Sequence, residues 1–201
     1  MDAKTSQRLE RAAAASFEKC VSKLSRISAG EWSVAGVRVS CRSMEEAIKD
    51  HASRPGGTGA AVYFEVGGEY PFTSMVIFRP EDIETISRGF LGFSFSKLPN
   101  LNQAQELLLS ELGNIILNAL IGFFSNALKR SFLPSAPKCV QGETPFLLEA
   151  LWVSLGQSVR HSLVTVMLDL KCDDKVTSSE VIAVISGNME AALAAVPEAA
   201  A

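Results

Sequence analysis

The chain has 201 residues, of which 47% are hydrophobic and 20% charged, as in a globular protein with one substantial core. Its net charge of −3 lacks the basic footprint of nucleic-acid-binding proteins, so nucleic acid is excluded as an expected partner. The four cysteines are too far apart for a zinc knuckle or a CxxC motif, and the charged first residues do not resemble a secretory signal. We therefore expect a single soluble, cytoplasmic domain over residues 1–201, with reduced and mostly buried thiols.

The first half of the chain is predicted to alternate helices and strands. Apolar residues recur every three or four positions in helices, alternate in half-buried strands and give way to polar or glycine-rich turns. Ser43 and Glu46 have the spacing of a capping box, which opens a helix. The elements predicted in chain order are a helix over 6–27, a strand over 32–41, a helix over 44–51, a flexible turn over 54–59, a hairpin of strands 60–66 and 73–78, and a helix from Pro80.

The second half is predicted to follow the same plan after a Gly/Phe/Ser-rich connection over residues 89–100. A long helix, strands joined by a polar loop and a closing helix occur in both halves, which predicts a tandem pseudo-repeat with halves of about 1–98 and 99–196. The predicted elements are a helix from about Leu101 to Arg130, stopped by Pro134 and Pro137, an apolar segment over 149–155, strands over 159–170 and 180–186 with a polar loop over 172–179, and a helix over 188–195.

The long helix contains an uncharged, largely apolar stretch over residues 112–128. A membrane span needs about 20 predominantly apolar residues, and polar groups inside a membrane are costly. This stretch contains four polar side chains, Asn114, Asn118, Ser125 and Asn126. We therefore interpret it as a half-buried core helix rather than a membrane span.

One side of the same helix carries a narrow polar stripe. At about 100° per residue, the stripe consists of Gln103, Leu107, Glu111, Asn114, Asn118, Gly122, Ser125 and Lys129. The opposite side, predicted to face the core, consists of Leu112, Ile116, Leu120, Phe123 and Ala127. Asparagine is a modest helix former, whereas a solvated face usually carries Glu, Lys, Arg or Gln. The stripe is either the wet side of an amphipathic helix or a surface on which a partner docks closely.

Other groups with catalytic potential are sparse. His51 and His161 each stand alone without metal-ligand spacing, and we interpret both as structural or surface histidines rather than ligands or bases. The glycine-rich segment 56–59 lacks the lysine and the following helix of a phosphate-binding loop. The sequence therefore predicts no metal site and no cofactor held by this chain.

The centre of the polar stripe resembles the signature helix of the CheC/CheX/FliY family of chemotaxis phosphatases. The resemblance rests on Glu111-x-x-Asn114, on the local sequence Glu-Leu-Gly-Asn-Ile around it, and on Pro137 after twenty-two intervening residues. It implies an α/β (α+β) fold of the CheC type, in which a tandem pseudo-repeat forms a mainly antiparallel sheet with long helices packed on it. Leu107 stands where the family often has Asp or Ser, and Asn118 where it often has glycine. These departures leave open how active the site is.

The resemblance implies that the substrate is a CheY-type response regulator phosphorylated on aspartate. Asn114 is then expected to orient the attacking water, Glu111 to pair with a receiver lysine, and Asn118 and Pro137 to line the binding surface. An acyl phosphate is already activated and the receiver supplies its own acid cluster and Mg²⁺, so the missing part is a positioned water. A carboxamide can position one because it donates and accepts hydrogen bonds.

Further expectations and alternatives follow from the same residues. A CheD-like deamidase and a second copy of the chain, forming a homodimer, are additional partners that the resemblance suggests. The first helix pairs Glu10 with Ala13 and Glu18 with Val21, so it lacks a Glu-x-x-Asn motif and one active site is expected. Two alternatives stay open: a non-catalytic adaptor or motor-switch module that binds a phosphorylated receiver, and an unrelated globular protein with a chance motif.

Overall fold

The computed structural model of the chain describes residues 3–53, 58–92, 103–155 and 161–196. The first half contains α1 (Ala3–Ile27), β1 (Trp32–Ser43), α2 (Met44–Ala52), β2 (Thr58–Gly68), β3 (Phe72–Phe78) and α3 (Pro80–Leu91). The second half contains α4 (Gln103–Leu128), β4 (Phe132–Pro134), β5 (Lys138–Glu143), α5 (Thr144–Leu155), β6 (His161–Cys172), β7 (Lys175–Ser186) and α6 (Gly187–Ala194).

The strands form one seven-stranded sheet, in which every described pair is antiparallel. The order is β1-β6-β7-β3-β2-β4, and β5 pairs with β2 beside β4. The hairpins β2–β3 and β6–β7 meet at the centre through β3 and β7. The first full strand of each half pairs with the hairpin of the other half, β1 with β6 and β5 with β2. The predicted α+β fold with a mainly antiparallel sheet is therefore confirmed.

Helices cover both faces of the sheet. The long helices α1 and α4 pack on one face with α3 and α6, around a core that includes Phe17, Phe64 and Leu112. The short helices α2 and α5 pack on the other face, against a smaller cluster that includes Leu148 and Ile182. The interior strand β3 is covered on both sides, so its residues are buried along its whole length.

Local signals in the first half agree with the structure. Ser43 Oγ accepts a hydrogen bond from the Glu46 amide at 3.2 Å, and a Glu46 carboxylate oxygen accepts one from the Ser43 amide at 2.9 Å. The two bonds complete the predicted capping box. Hydrogen bonding to the Glu46 carboxylate by the Ser43 amide, and then by the Ser43 side chain, lowers the pKa of Glu46. The predicted hairpin is also present, with Ala60 paired to Phe78 and Val66 to Phe72. The turn predicted over 54–59 lies largely outside the described residues, and Thr58 already begins β2.

Several boundaries in the second half differ from the prediction. The apolar segment 149–155 is the second part of a helix that begins at Thr144. The polar loop predicted over 172–179 is a two-residue turn, because both strands continue to the pair Cys172 and Lys175. Thr177 and Ser179 are polar but almost fully buried in β7, so hydrophobic alternation does not indicate a strand there. The short strands β4 and β5 were also missed.

The long helix ends earlier and for a different reason than predicted. It ends at Leu128, where Lys129 adopts a left-handed φ of 54° and breaks the helical path. Pro134 lies in β4 and Pro137 just before β5, so neither proline stops the helix directly. The start at Leu101, like much of the predicted connection over 89–100, lies outside the described residues.

By length and composition, α4 could cross a membrane, but 56% of its most apolar window is buried inside the molecule. Such burial is typical of a core helix, and it agrees with the prediction that this stretch is a half-buried core helix.

Candidate functional site

The helix α4 holds the predicted polar stripe at the surface because its other sides are buried. Leu112, Ile116 and Leu120 are fully buried, as predicted for the core face. The buried side is wider than predicted, since it also includes Leu109, Gly113, Leu117, Ile121 and Phe124. The helix contacts both the sheet and α1, and this second neighbour accounts for the wider burial. Only a narrow part of the polar stripe, called the strip below, is left exposed, and it includes Leu107, Glu111 and Asn118.

Gly113 brings α4 into close contact with the sheet directly beside Asn114. A Cβ atom at this position would lie 2.6 Å from the Cβ of Val62 on β2 and 2.7 Å from one of its methyl carbons. No side chain larger than hydrogen fits without moving the helix. Helical periodicity does not distinguish Gly113, but glycine inside a helix costs about 1 kcal/mol relative to alanine and therefore signals a packing reason.

Asn114 and Asn118 are in direct contact. The Nδ2 of Asn118 donates to the backbone oxygen of Asn114 at 2.7 Å and to its side-chain Oδ1 at 2.8 Å. Asn114 is half-buried, whereas Asn118 is exposed. A carboxamide oxygen has two lone pairs and its nitrogen two hydrogens. Asn114 is therefore held by its oxygen while retaining one acceptor site and both donors.

Glu111 and Leu107 continue the exposed strip toward the start of α4. Glu111 lies about one turn before Asn114, so the two side chains are neighbours on the helix surface. Leu107, one turn further back, is 65% exposed and offers an apolar contact where the resembling family often has Asp or Ser. The strip thus presents an apolar, an anionic and an amide group in sequence along the helix.

A groove of about 390 Å³ runs between α1 and α4 beside this strip. Its α4 side includes Asn114 and Asn118, and its α1 side is lined by Ser16, Lys19, Cys20 and Lys23. The Cys20 thiol donates a weak hydrogen bond to the Ile115 carbonyl at 3.8 Å and so joins the helices. Burial raises the pKa of Cys20 to about 12, against the opposing effect of the nearby Lys23 ammonium. Lys19 and Lys23 could not be assigned to this groove from sequence, because the periodicity of one helix does not show which other helix packs beside it.

Pro137 lies apart from the strip, half-buried in the connection between β4 and β5. Cys139, two residues later, reaches α4 through a contact with Ser110, the residue before Glu111. Burial and the nearby Glu106 carboxylate raise the pKa of Cys139, and the Ser110 hydrogen bond opposes this rise. The connection after Pro137 therefore adjoins the start of the strip.

In the first half of the chain, α1 occupies the position that α4 occupies in the second half, but α1 has no Glu-x-x-Asn motif. Ala13 is fully buried and Val21 nearly so. A carboxylate oxygen of Glu10 accepts a hydrogen bond from the Val39 amide at 3.0 Å, which satisfies a backbone donor on the edge strand β1. Within the described residues, no three His, Cys, Asp or Glu side chains converge on a possible metal site.

Comparison with known proteins defines the class of fold. No protein-family profile and no curated protein matches the sequence. FliY of Thermotoga maritima superposes with a TM-score of 0.69 at 14% identity, covering 96% of this chain and 98% of that chain. A chain of the FliG–FliM complex from H. pylori gives 0.61 at 14% identity, covering 96% and 100%.

A third similar structure is the CheX–CheY–BeF3–Mg complex from Borrelia burgdorferi, with a TM-score of 0.50 at 13% identity, covering 90% of this chain and 96% of that chain. The chain therefore has a CheC/CheX/FliY-like fold, which FliM shares. At these identities the likeness concerns the fold, and residue roles must be argued from the site itself.

Proposed function

We propose that this chain is a cytoplasmic chemotaxis protein that hydrolyses the aspartyl phosphate of a CheY-type receiver. The observation that carries the proposal is the carboxamide of Asn114, held by Asn118 beside a groove and next to an exposed carboxylate. A chain of the complex of CheX with CheY, BeF3 and Mg²⁺ has a similar fold, which supports a receiver of this kind as the partner.

In the proposed reaction, a water oxygen attacks phosphorus while the bond between phosphorus and the aspartate oxygen breaks. The aspartate leaves as a carboxylate, phosphate is released, and the water proton passes to phosphate or solvent. Asn114 accepts one hydrogen bond from the water and donates one to hold it in line, because positioning is the main contribution that phosphoryl transfer needs. Mg²⁺ belongs to the receiver in this scheme, and this chain holds no cofactor.

The neighbouring residues either dock the receiver or position Asn114 in this proposal. Glu111 pairs with a receiver lysine and fixes the direction of approach, since it lies exposed about one turn from Asn114. Asn118 positions the Asn114 side chain, and Pro137 shapes the connection that adjoins Ser110. A CheD-like deamidase as partner and a homodimer stay predictions of the resemblance.

The second candidate is a non-catalytic adaptor or motor-switch module that binds the receiver without hydrolysing its phosphate. Two observations favour it. A chain of the FliG–FliM complex superposes on this chain with a higher TM-score than a chain of the CheX–CheY complex does. In addition, the exposed Leu107 stands where the resembling family often has Asp or Ser. Both candidates use the same surface, so they differ in turnover and not in binding.

The test is the decay of phosphorylated receiver with the wild-type chain, Asn114→Ala and Asn126→Ala. Asn126 is an exposed asparagine on α4 that lines the same groove, which makes it a matched control. We expect Asn114→Ala to lose about a hundredfold in stimulated decay, as for a positioned catalytic group, and Asn126→Ala to keep it. Equal decay for both variants would remove Asn114 from the mechanism, and receiver binding without any stimulated decay would establish the adaptor.

A further inference from the structure

The helix α1 presents a stripe of its own toward the groove. Ser16, Lys19, Cys20 and Lys23 have the i, i+3, i+4, i+7 spacing of one helix face, and all four line the groove opposite Asn114 and Asn118. Both lysines are exposed. Neither ammonium has an ion-pair partner among the residues that the structure describes, so their charge is not neutralised within the fold.

The two sides of the groove therefore differ in charge. The α1 side has the ammonium groups of Lys19 and Lys23, whereas the α4 side is lined by the amides of Asn114, Asn118 and Asn126. The exposed carboxylate of Glu111 lies outside this lining, about one turn before Asn114 on α4. The acyl phosphate and acid cluster of a receiver are anionic, and its active-site lysine is cationic. A partner with this pattern is complementary in one orientation only, because turning it round would place like charges together.

We infer that Lys19 and Lys23 are docking cations for the phosphorylated, acidic site of the receiver, so that α1 supplies the electrostatic part of a surface whose water-positioning part lies on α4. This inference rests on the proposed function. The lysines act on approach and alignment, because exposed ion pairs add little affinity once formed, whereas steering changes association rates strongly. The first half thus contributes to the same single site instead of forming a second one.

The experiment measures association with a CheY-type receiver from the same source, activated by beryllium fluoride and Mg²⁺, by stopped-flow fluorescence. The test variant is Lys19→Glu/Lys23→Glu. The control is Lys171→Glu/Lys175→Glu, which changes net charge equally at two exposed lysines near the β6–β7 turn, away from the groove. Both variants are first compared with the wild type by thermal unfolding, so that only folded protein is scored.

We expect the association rate of the test variant to fall roughly tenfold relative to the control at low salt. The difference between the two association rates should shrink strongly at about 0.5 M salt, because the charges are then screened. The control variant should keep an association rate near that of the wild type, which assigns the loss to the position of the charges and not to the net charge. Equal association rates for test and control variants would overturn this inference and leave the role of Asn114 intact. Failure of the wild-type chain to bind the activated receiver would overturn the proposed function, and this inference with it.

Discussion

Asn118 restrains the side chain of Asn114 through a hydrogen bond from its Nδ2 to the Asn114 Oδ1 at 2.8 Å, and the same nitrogen donates to the Asn114 backbone oxygen at 2.7 Å. The resembling family often has glycine at this position, which could offer no such restraint. A side chain fixed in advance loses less entropy when it orients a water molecule, and small misplacements at a reacting centre are costly. Asn118, where the resembling family often has glycine, thus provides a hydrogen bond to the Asn114 side chain, and we predict that this bond positions the carboxamide.

Replacement of Asn118 by glycine should slow turnover more than it weakens binding. We expect a loss of about threefold to tenfold in single-turnover rate with little change in the receiver concentration for half-maximal rate, because only positioning is lost. Asn126→Gly is the control, since it introduces the same residue in the same helix at a similar cost in helix propensity. Identical kinetics for Asn118→Gly and Asn126→Gly would contradict the positioning role.

Glu111 is predicted to act by charge. Glu111→Lys would bring an ammonium toward the receiver lysine, so binding should weaken, and the effect should be larger at low salt because exposed charges are screened. Glu149→Lys, at an exposed position of α5 on the other side of the sheet, has the same charge change and serves as the control. Titration calorimetry at two ionic strengths measures the effect. Binding of Glu111→Lys equal to that of the control would argue against docking by Glu111.

The two glycines of α4 differ in their surroundings at the scale of the helix. Gly113 faces Val62 at a distance that excludes a Cβ atom, whereas nothing lies within 4 Å of a Cβ built at Gly122. The first glycine sets how closely the helix lies on β2, and with it the height of the neighbouring Asn114. The second borders the open groove between α1 and α4.

Alanine should therefore have opposite effects at these glycines. Gly113→Ala should destabilise the fold by about 1–3 kcal/mol, as overpacking does, and should reduce activity by displacing Asn114. Gly122→Ala should stabilise it by about 0.5–1 kcal/mol through higher helix propensity and a less flexible unfolded chain. Urea unfolding of the two variants measures both values. A Gly113→Ala protein as stable as Gly122→Ala would refute the close contact with the sheet.

The two halves of the whole molecule depend on each other for their sheet. Since β1 pairs with β6 and β5 with β2, each half lends a strand to the hairpin of the other. Neither half completes the sheet alone, which favours one cooperative unit. The boundary at about residue 98 stays a prediction, because the connection lies outside the described residues.

We predict one functional site in this unit. Phosphorylated receiver should bind with a stoichiometry of one per chain, because α1 buries Ala13 and Val21 where an amide would be needed and engages Glu10 with the Val39 amide. Analytical ultracentrifugation with beryllium fluoride-activated receiver measures the ratio. The control is Asn114→Ala, which should keep the ratio of one while losing turnover. A ratio of two would show that α1 has a site of its own.

The sequence by itself determined those features that depend on neighbours along the chain. Helical and alternating periodicity located most of the helices and strands, and the Ser43–Glu46 spacing predicted a cap that the structure contains. The polar stripe of α4 was predictable for the same reason, because residues three and four apart share a helix face. The Asn114–Asn118 contact also lies within this reach, although its geometry did not follow from spacing alone.

Only the tertiary structure decided those features that join residues far apart in the chain. Lys19 and Lys23 meet Asn114 across a groove, and Gly113 meets Val62, because α1, α4 and β2 pack together. The polar start of β7 is a strand because pairing with β6 from Lys175, and with β3 from Ser179, satisfies its backbone, whereas its side chains give no alternating pattern. Side-chain periodicity records which face of an element is buried, but it does not record which other element covers that face.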